Sequence, residues 1–267
     1  MNLTIHPNSR ISRLPKAVRF IAVVVRELRP RRKFMHSFDG IGSNHNFGFL
    51  NEDRFKYALL KANEAGARDY SIYLRLHQAI WCADVARLIS QTASFVELGT
   101  GRGYIMSGVL GSLEFIDPSL HQKQEIYCFD TFLPFSTDLI GKQDEKFGTN
   151  PYYAESYESI QNTFIRTKNV HLIKGTLPES LLEQTIDEIS FLHIDLNAPE
   201  IEIQCLGVLW SKILPGGIVL IDDYAYQGYD FTYMAFNKFA AEAGVNILTT
   251  ASGQGIIIKP TINANKG

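Results

Sequence analysis

Five acids stand where short apolar runs end. Glu97 lies within Ser94–Leu98, Asp130 closes 125–130, Asp195 closes 189–195, and the pair Asp222-Asp223 ends the run 217–222. If those runs are neighbouring strands, about 4.8 Å apart, carboxylates at adjacent ends converge. Three close carboxylates repel and raise each other's proton affinity unless a cation lies among them. Oxygen donors without Cys or clustered His suit Mg²⁺, with Ca²⁺ and Mn²⁺ as alternatives. Such a cation chelates two neighbouring hydroxyls of a ligand, lowers the pKa of one and fixes it for attack. The competing reading is that Asp222 or Asp223 caps the following turn and that Asp195 serves only a cofactor. His193, two residues before Asp195, shares its face of the strand and is the candidate base; a core position is its alternative.

The second feature is the stretch Ser94–Tyr104, in which an apolar run carrying Glu97 leads into Gly99, Gly101 and Gly103 and then a helical pattern. Glycine has no Cβ and accepts positive φ, so this strand–turn–helix crossover lets a small polar ligand lie against backbone. Two adenosine cofactors compete for it. A dinucleotide loop wants G-x-G-x-x-G, with a third glycine where this chain has Tyr104; the pattern here is E-x-G-x-G-x-G. Asp130, about 30 residues after the first glycine, is the natural partner of ribose hydroxyls.

The elements that must position these groups alternate. Apolar runs at 94–98, 125–130, 170–174, 189–195, 217–222, 245–250 and 255–259 read as strands. Helical patterns read at 53–66, 72–90, 103–113, 156–166, 200–213 and 231–243. Gly66 is the expected C-cap of the first of these, and His77 and Trp81 the expected packed pair of the second. The fold class is α/β: a doubly wound, mostly parallel seven-stranded sheet covered on both faces. The tight turn Ser252–Gly255 makes the last strand antiparallel, and a helical extension precedes the domain at the N-terminus. Residues 37–51, rich in Gly and Asn, read as an irregular loop. The organisation expected is a basic arm with helix and loop over 1–67, one domain over 68–260 and a tail over 261–267.

Composition sets outer bounds. Of 267 residues 45% are hydrophobic and 20% charged, ordinary for a globular chain. The net charge of −2 is uneven: residues 1–36 carry +8, leaving −10 for the rest. A basic amphipathic helix over 14–28, followed by Arg31-Arg32-Lys33, suits peripheral contact with an anionic membrane; packing on the domain or in a homo-oligomer is the blander alternative. The acidic body has no basic–aromatic motif and argues against a nucleic-acid substrate. Cys82, Cys128 and Cys205 are widely spaced in apolar contexts and read as buried thiols of a reducing, cytoplasmic compartment. The apolar run Phe20–Val25 is far shorter than the ~20 residues a membrane span needs.

Taken together, the blocks Phe95–Gly103, Phe129–Pro134, Val170–Pro178, His193–Asp195 and Leu214–Tyr224 resemble class I S-adenosylmethionine-dependent methyltransferases. Within these they resemble the metal-dependent macrocin O-methyltransferase family, which methylates sugar hydroxyls, over about residues 70–259. The resemblance implies a Rossmann-like methyltransferase sheet with Gly99, Gly101 and Gly103 cradling S-adenosylmethionine. Glu97 would support the loop, Asp130 bind the ribose, and Thr100 and Thr131 complete the cofactor set. It also implies that Asp195, Asp222 and Asp223 hold a divalent metal; the candidate catalytic residues are Asp195 and, from its place on the same strand face, His193. Related catechol-type enzymes place Asn after the second metal Asp, so Asp223 favours the sugar-modifying branch. That branch often carries an acid two residues after the first metal Asp, where this chain has Asn197. The expected function is metal-assisted O-methylation of a sugar or glycosylated small molecule. A nicotinamide-dependent oxidoreductase and a non-catalytic binding protein of the same fold are the alternatives.

Overall fold

In the computed structural model the described residues are 34–120, 122–132, 157–165 and 167–260. The basic helix expected at 14–28 and the tail at 261–267 lie outside them. Two compact units divide the chain, residues 1–37 with 42–45 and residues 38–41 with 46–267. Of the first unit the described part is short. In it the Met35 amide donates to Asn44 Oδ1 at 3.1 Å and the His45 amide to Ser43 Oγ at 3.0 Å.

The second unit holds a seven-stranded sheet. Its strands are β3 (Ser94–Leu98), β4 (Ile126–Asp130), β5 (Val170–Lys174), β6 (Ile189–Ile194), β7 (Ile213–Ile221), β8 (Leu248–Thr249) and β9 (Gly255–Ile258). They are ordered β5-β4-β3-β6-β7-β9-β8. From β5 to β7 the pairs are parallel; β9 runs antiparallel to both β7 and β8. The chain builds outward from β3 to β5, then returns to β6 on the other side, so its direction reverses between β3 and β6. Ligands of such sheets bind at that crevice, beyond the carboxyl ends of the strands.

Period-2 alternation divides the core in two. Phe95, Phe191, Ile218, Leu220 and Ile256 pack with helices α1 (Asp53–Gly66), α2 (Tyr73–Ile89), α3 (Tyr104–Ile116) and α4 (Tyr157–Phe164). Val96, Leu98, Leu192, Ile194, Val219 and Ile221 pack on the other face with α5 (Glu179–Leu182), α6 (Pro199–Trp210) and α7 (Asp230–Ala243). Glu97, His193, Asp195 and Asp222 continue the first series, so their positions alternate toward the α1–α4 face. Cys82, Cys128 and Cys205 are free and buried, as their contexts imply. Among the described residues no helix is long and apolar enough to cross a membrane.

Several local expectations are corrected. The stretch read as an irregular loop contains two short strands, β1 (His36–Phe38) and β2 (Ile41–Ser43), and a 3₁₀ turn over Gly48–Asn51. Gly66 is helical, not the cap; Ala67 takes the left-handed cap at φ 55°. What requires glycine at 66 is close packing, since a Cβ would stand 2.6 Å from the Tyr70 ring and 2.8 Å from the Tyr104 ring. Trp81 is 48% exposed and makes no core pair, whereas His77 stacks on Phe49 at 4.0 Å. Strand β7 starts at Ile213 rather than 217, shortening α6, and only Leu248–Thr249 of the penultimate run pairs as strand, after Gly244 closes α7.

Candidate active site

Register brings the acids together. In the β6–β7 ladder His193 faces Leu220 and Ile194 faces Ile221, so the next residues, Asp195 and Asp222, leave the sheet side by side. Backbone bonds hold both exits: the Asp195 amide donates to Leu98 O at 2.8 Å and the Asp222 amide to Ile194 O at 2.9 Å. One carboxylate oxygen from each of Asp195, Asp222 and Asp223 falls within 4.8 Å of the others. Burial and the two neighbouring carboxylates push the Asp195 carboxyl well above its ordinary range. Asp223 is likewise pushed up to about 6, by burial first and Asp222 second. A hard, all-oxygen donor set carrying excess negative charge fits a divalent cation.

The sequence reading missed three groups that hold this trio. Arg75, in the first turn of α2 and 7% exposed, bonds Asp222 Oδ2 through Nη1 and, at 3.0 Å, Asp223 Oδ1. Its Nε lies 3.3 Å from Asp39 Oδ2, and its guanidinium sits 4.9 Å from the centre of the Tyr226 ring. The signal was present: Arg75 precedes Ala79, Cys82 and Ala86 by four, seven and eleven residues, on the buried side of its helix. The second group is Gln254, with no exposed surface, whose Nε2 donates to Asp222 Oδ1 at 2.8 Å. Nothing in a turn rich in Gly and Ser marks it out.

The third is Glu202, in the first turn of α6 and 3% exposed, which accepts the Leu196 amide at 3.1 Å. It braces the turn after Asp195, where Asn197 adopts φ 56° and donates to Asp195 Oδ1 at 3.4 Å while accepting the Tyr229 hydroxyl at 2.7 Å. Burial raises the Glu202 carboxyl from 4.5 to about 7. The unfolded chain therefore ionises first, and the stability this group supplies when protonated is lost as pH rises from 4.5 toward 7. With a chelator present, Glu202→Gln is expected to melt several degrees higher than the parent at pH 8, by about 3 kcal/mol at most. The gain should vanish by pH 4.5. A thermal melt series from pH 4 to 8 reads this; a variant less stable at pH 8 would show that the carboxylate's amide bonds outweigh its burial.

On the β3 side of the crevice the glycine loop follows the strand. The amides of Gly99 and Thr100 donate to Phe129 O at 2.9 and 3.2 Å, and Asp130 Oδ2 accepts the Gly101 amide at 2.8 Å. Asp130 therefore fixes the loop, and it stands at the strand end where a ribose partner was expected. Gly99, Gly101 and Gly103 all have positive φ, at 88°, 52° and 81°. A Cβ on Gly99 would strike the Asp195 carbonyl at 1.9 Å and one on Gly103 the Phe164 ring at 2.8 Å, whereas nothing lies within 4 Å of one on Gly101. That open cradle before the N-terminus of α3 fits a small polar adenosine cofactor. Thr100 is 5% exposed with its hydroxyl 3.5 Å from Phe129 O, so it braces the loop from within; Thr131 follows Asp130 at the half-buried strand end.

Beneath the loop, Glu97 and His193 are paired across the β3–β6 ladder, with Oε1 and Nδ1 3.1 Å apart and each residue 1% exposed. Burial raises the Glu97 carboxyl, and His193 opposes the shift. The geometry places His193 under the site, where Nε2 has no hydrogen-bond partner. Tyr104 is 7% exposed and packs edge-on to Tyr70 at 4.9 Å, a core position. Tyr224, 1% exposed, accepts from Asn237 Nδ2 at 2.8 Å; Tyr226 is 40% exposed.

The family described as Macrocin-O-methyltransferase (TylF) matches residues 75–250. No curated protein is significantly similar in sequence. Among solved structures, the O-methyltransferase NovP superposes with a TM-score of 0.61 at 19% identity, covering 78% of this chain and 100% of NovP. CalS11, a calicheamicin methyltransferase, gives 0.52 at 15% identity, covering 86% and 96%. The methyltransferase PaMTH1 of Podospora anserina, bound to SAH, gives 0.50 at 17% identity, covering 82% and 99%. At such identities the likeness is one of fold. The family match spans both the glycine loop and the acidic trio, and on that ground the chain belongs to the TylF macrocin-O-methyltransferase family and is an S-adenosylmethionine-dependent methyltransferase.

Proposed function

We propose that this enzyme methylates a hydroxyl of a sugar or glycosylated small molecule, assisted by a divalent cation at Asp195, Asp222 and Asp223. The observation that carries the reading is the convergence of three carboxylates within 4.8 Å beside the glycine loop. The family match and the TylF description support O-methylation; the sugar reading extends the resemblance in the sequence.

S-adenosylmethionine at the glycine loop would supply an electrophilic methyl group on a sulfonium, and a cation held by Asp195, Asp222 and Asp223 would supply charge that binds and acidifies an acceptor hydroxyl. The chain's residues do the rest. Gly101 leaves room for the donor, and Asp130, at the end of β4, is the candidate ribose partner. Asp195, whose carbonyl abuts Gly99, ties the donor loop to the acceptor side, and its carboxylate is the candidate acceptor of the hydroxyl proton. His193 and Glu97 act from below as positioning residues. Tyr226 presents an exposed ring beside Arg75, a flat surface against which a sugar can pack. The three buried free thiols support a cytoplasmic setting.

Calorimetric titration of S-adenosylmethionine, with and without Mg²⁺, on the parent and on the Asp222→Ala/Asp223→Ala variant tests the proposal. Both proteins are expected to bind the donor, while Mg²⁺-dependent methylation of sugar acceptors falls by on the order of 10²–10³ in the variant. Failure of the parent to bind the donor would sink the reading. Donor binding with turnover indifferent to Mg²⁺ would sink its metal part alone.

A further inference from the structure

Arg75 is a buried cation already lodged among the carboxylates that the metal reading assigns. Its Nη1 bonds both Asp222 and Asp223, Asp39 stands against its Nε at 3.3 Å, and its side chain is 8% exposed. Asp195 is the member of the trio that it does not bond, which leaves the trio's remaining negative charge on the side facing the glycine loop. We propose that Arg75 is the built-in counter-ion of the acidic trio and competes with the divalent cation for it, keeping cation binding weak and exchangeable. The inference rests on the metal reading above.

A guanidinium bonded to two of the three ligand residues stands within a few ångströms of any ion held by all three. In a buried site, repulsion between a unit and a double charge at that range is far from negligible. Arg75 also satisfies part of the demand for positive charge that makes the site attractive to an ion, while Gln254 fixes the second oxygen of Asp222. The guanidinium cannot lose its proton, so its contribution persists at any working pH. A neutral residue at 75 leaves the ligands with no competing cation.

The test is binding of Mn²⁺, followed by calorimetry on chelator-treated protein, with thermal melting alongside. Arg75→Gln is expected to bind Mn²⁺ about tenfold tighter than the parent or better. It should melt lower without metal and recover more of its melting temperature on adding Mn²⁺. Arg75→Met is the second neutral variant should glutamine impair folding, and folding only in the presence of Mn²⁺ is the same result in stronger form. Arg75→Lys keeps the charge but not the fork and should stay within about threefold of the parent. Equal or weaker Mn²⁺ binding in the neutral variants overturns the proposal and leaves the metal reading standing. Tightening by lysine as large as by glutamine overturns it too, because charge would not be the cause. No Mn²⁺ binding in any of these proteins overturns the metal reading and this inference with it.

Discussion

Replacing Gly99 by alanine is expected to cost the protein roughly 4 kcal/mol or more and abolish binding of S-adenosylmethionine. Replacing Gly101 by alanine should leave the fold nearly intact and weaken donor binding at least tenfold. Both positions are left-handed, at φ 88° and 52°, so each substitution carries a backbone penalty of about 1–2 kcal/mol. They part company in their surroundings. The new Cβ at 99 would lie 1.9 Å from the Asp195 carbonyl oxygen and 2.6 Å from its carbon. Both are backbone atoms of a segment pinned by the bond from the Asp195 amide to Leu98 O, so relief requires prying β3 from β6 at the point where the sheet reverses. At 101 the Cβ meets nothing within 4 Å and intrudes only on space a ligand would fill. Thermal melts and calorimetric titration of the donor separate the two effects. Gly101→Ala binding the donor like the parent would show that the cofactor does not lie on that cradle.

The alternation of apolar runs and helical patterns was enough to read the sheet, because parallel strands buried on both faces leave long apolar signatures that few other structures share. The convergence of Asp195 and Asp222 followed from the same logic: acids one residue beyond adjacent strands must meet when register aligns them. What local pattern did not reveal was the partnership of groups brought to the site from distant segments: the helical spacing marked Arg75 as buried but not what it would meet. Arg75 arrives from α2, 147 positions from Asp222, and Gln254 from the turn before β9. Asp39 comes from a stretch whose glycines and asparagines concealed two short strands. Gly66 and Trp81 were misread for a different reason. Glycine at 66 is required by close packing against the rings of Tyr70 and Tyr104, a relation that its local pattern does not contain. Trp81 looked like core by spacing, yet it lies on the outward side of α2.

Asp195→Asn is expected to improve stability and destroy function at once. Methyl transfer should fall by about 10³, because the residue joins the donor loop to the acidic trio and is the candidate proton acceptor. The chelated protein should nonetheless melt higher than the parent at pH 8. In the folded state the Asp195 carboxyl is raised well above its ordinary 3.8, first by burial and then by Asp222 and Asp223. Its ionisation is therefore easier in the unfolded chain, and the stability it supplies when protonated is lost as pH climbs past 3.8. Asparagine never ionises, so the variant escapes that loss, and the two melting temperatures should converge toward pH 4. Adding Mg²⁺ should narrow the gap from the other side, by stabilising the parent and not the variant. A variant that melts lower at pH 8 with chelator present would mean that Arg75 already compensates all three carboxylates. The trio would then be an ordinary buried ion-pair network, and the strain that marks it as a cation site would be absent.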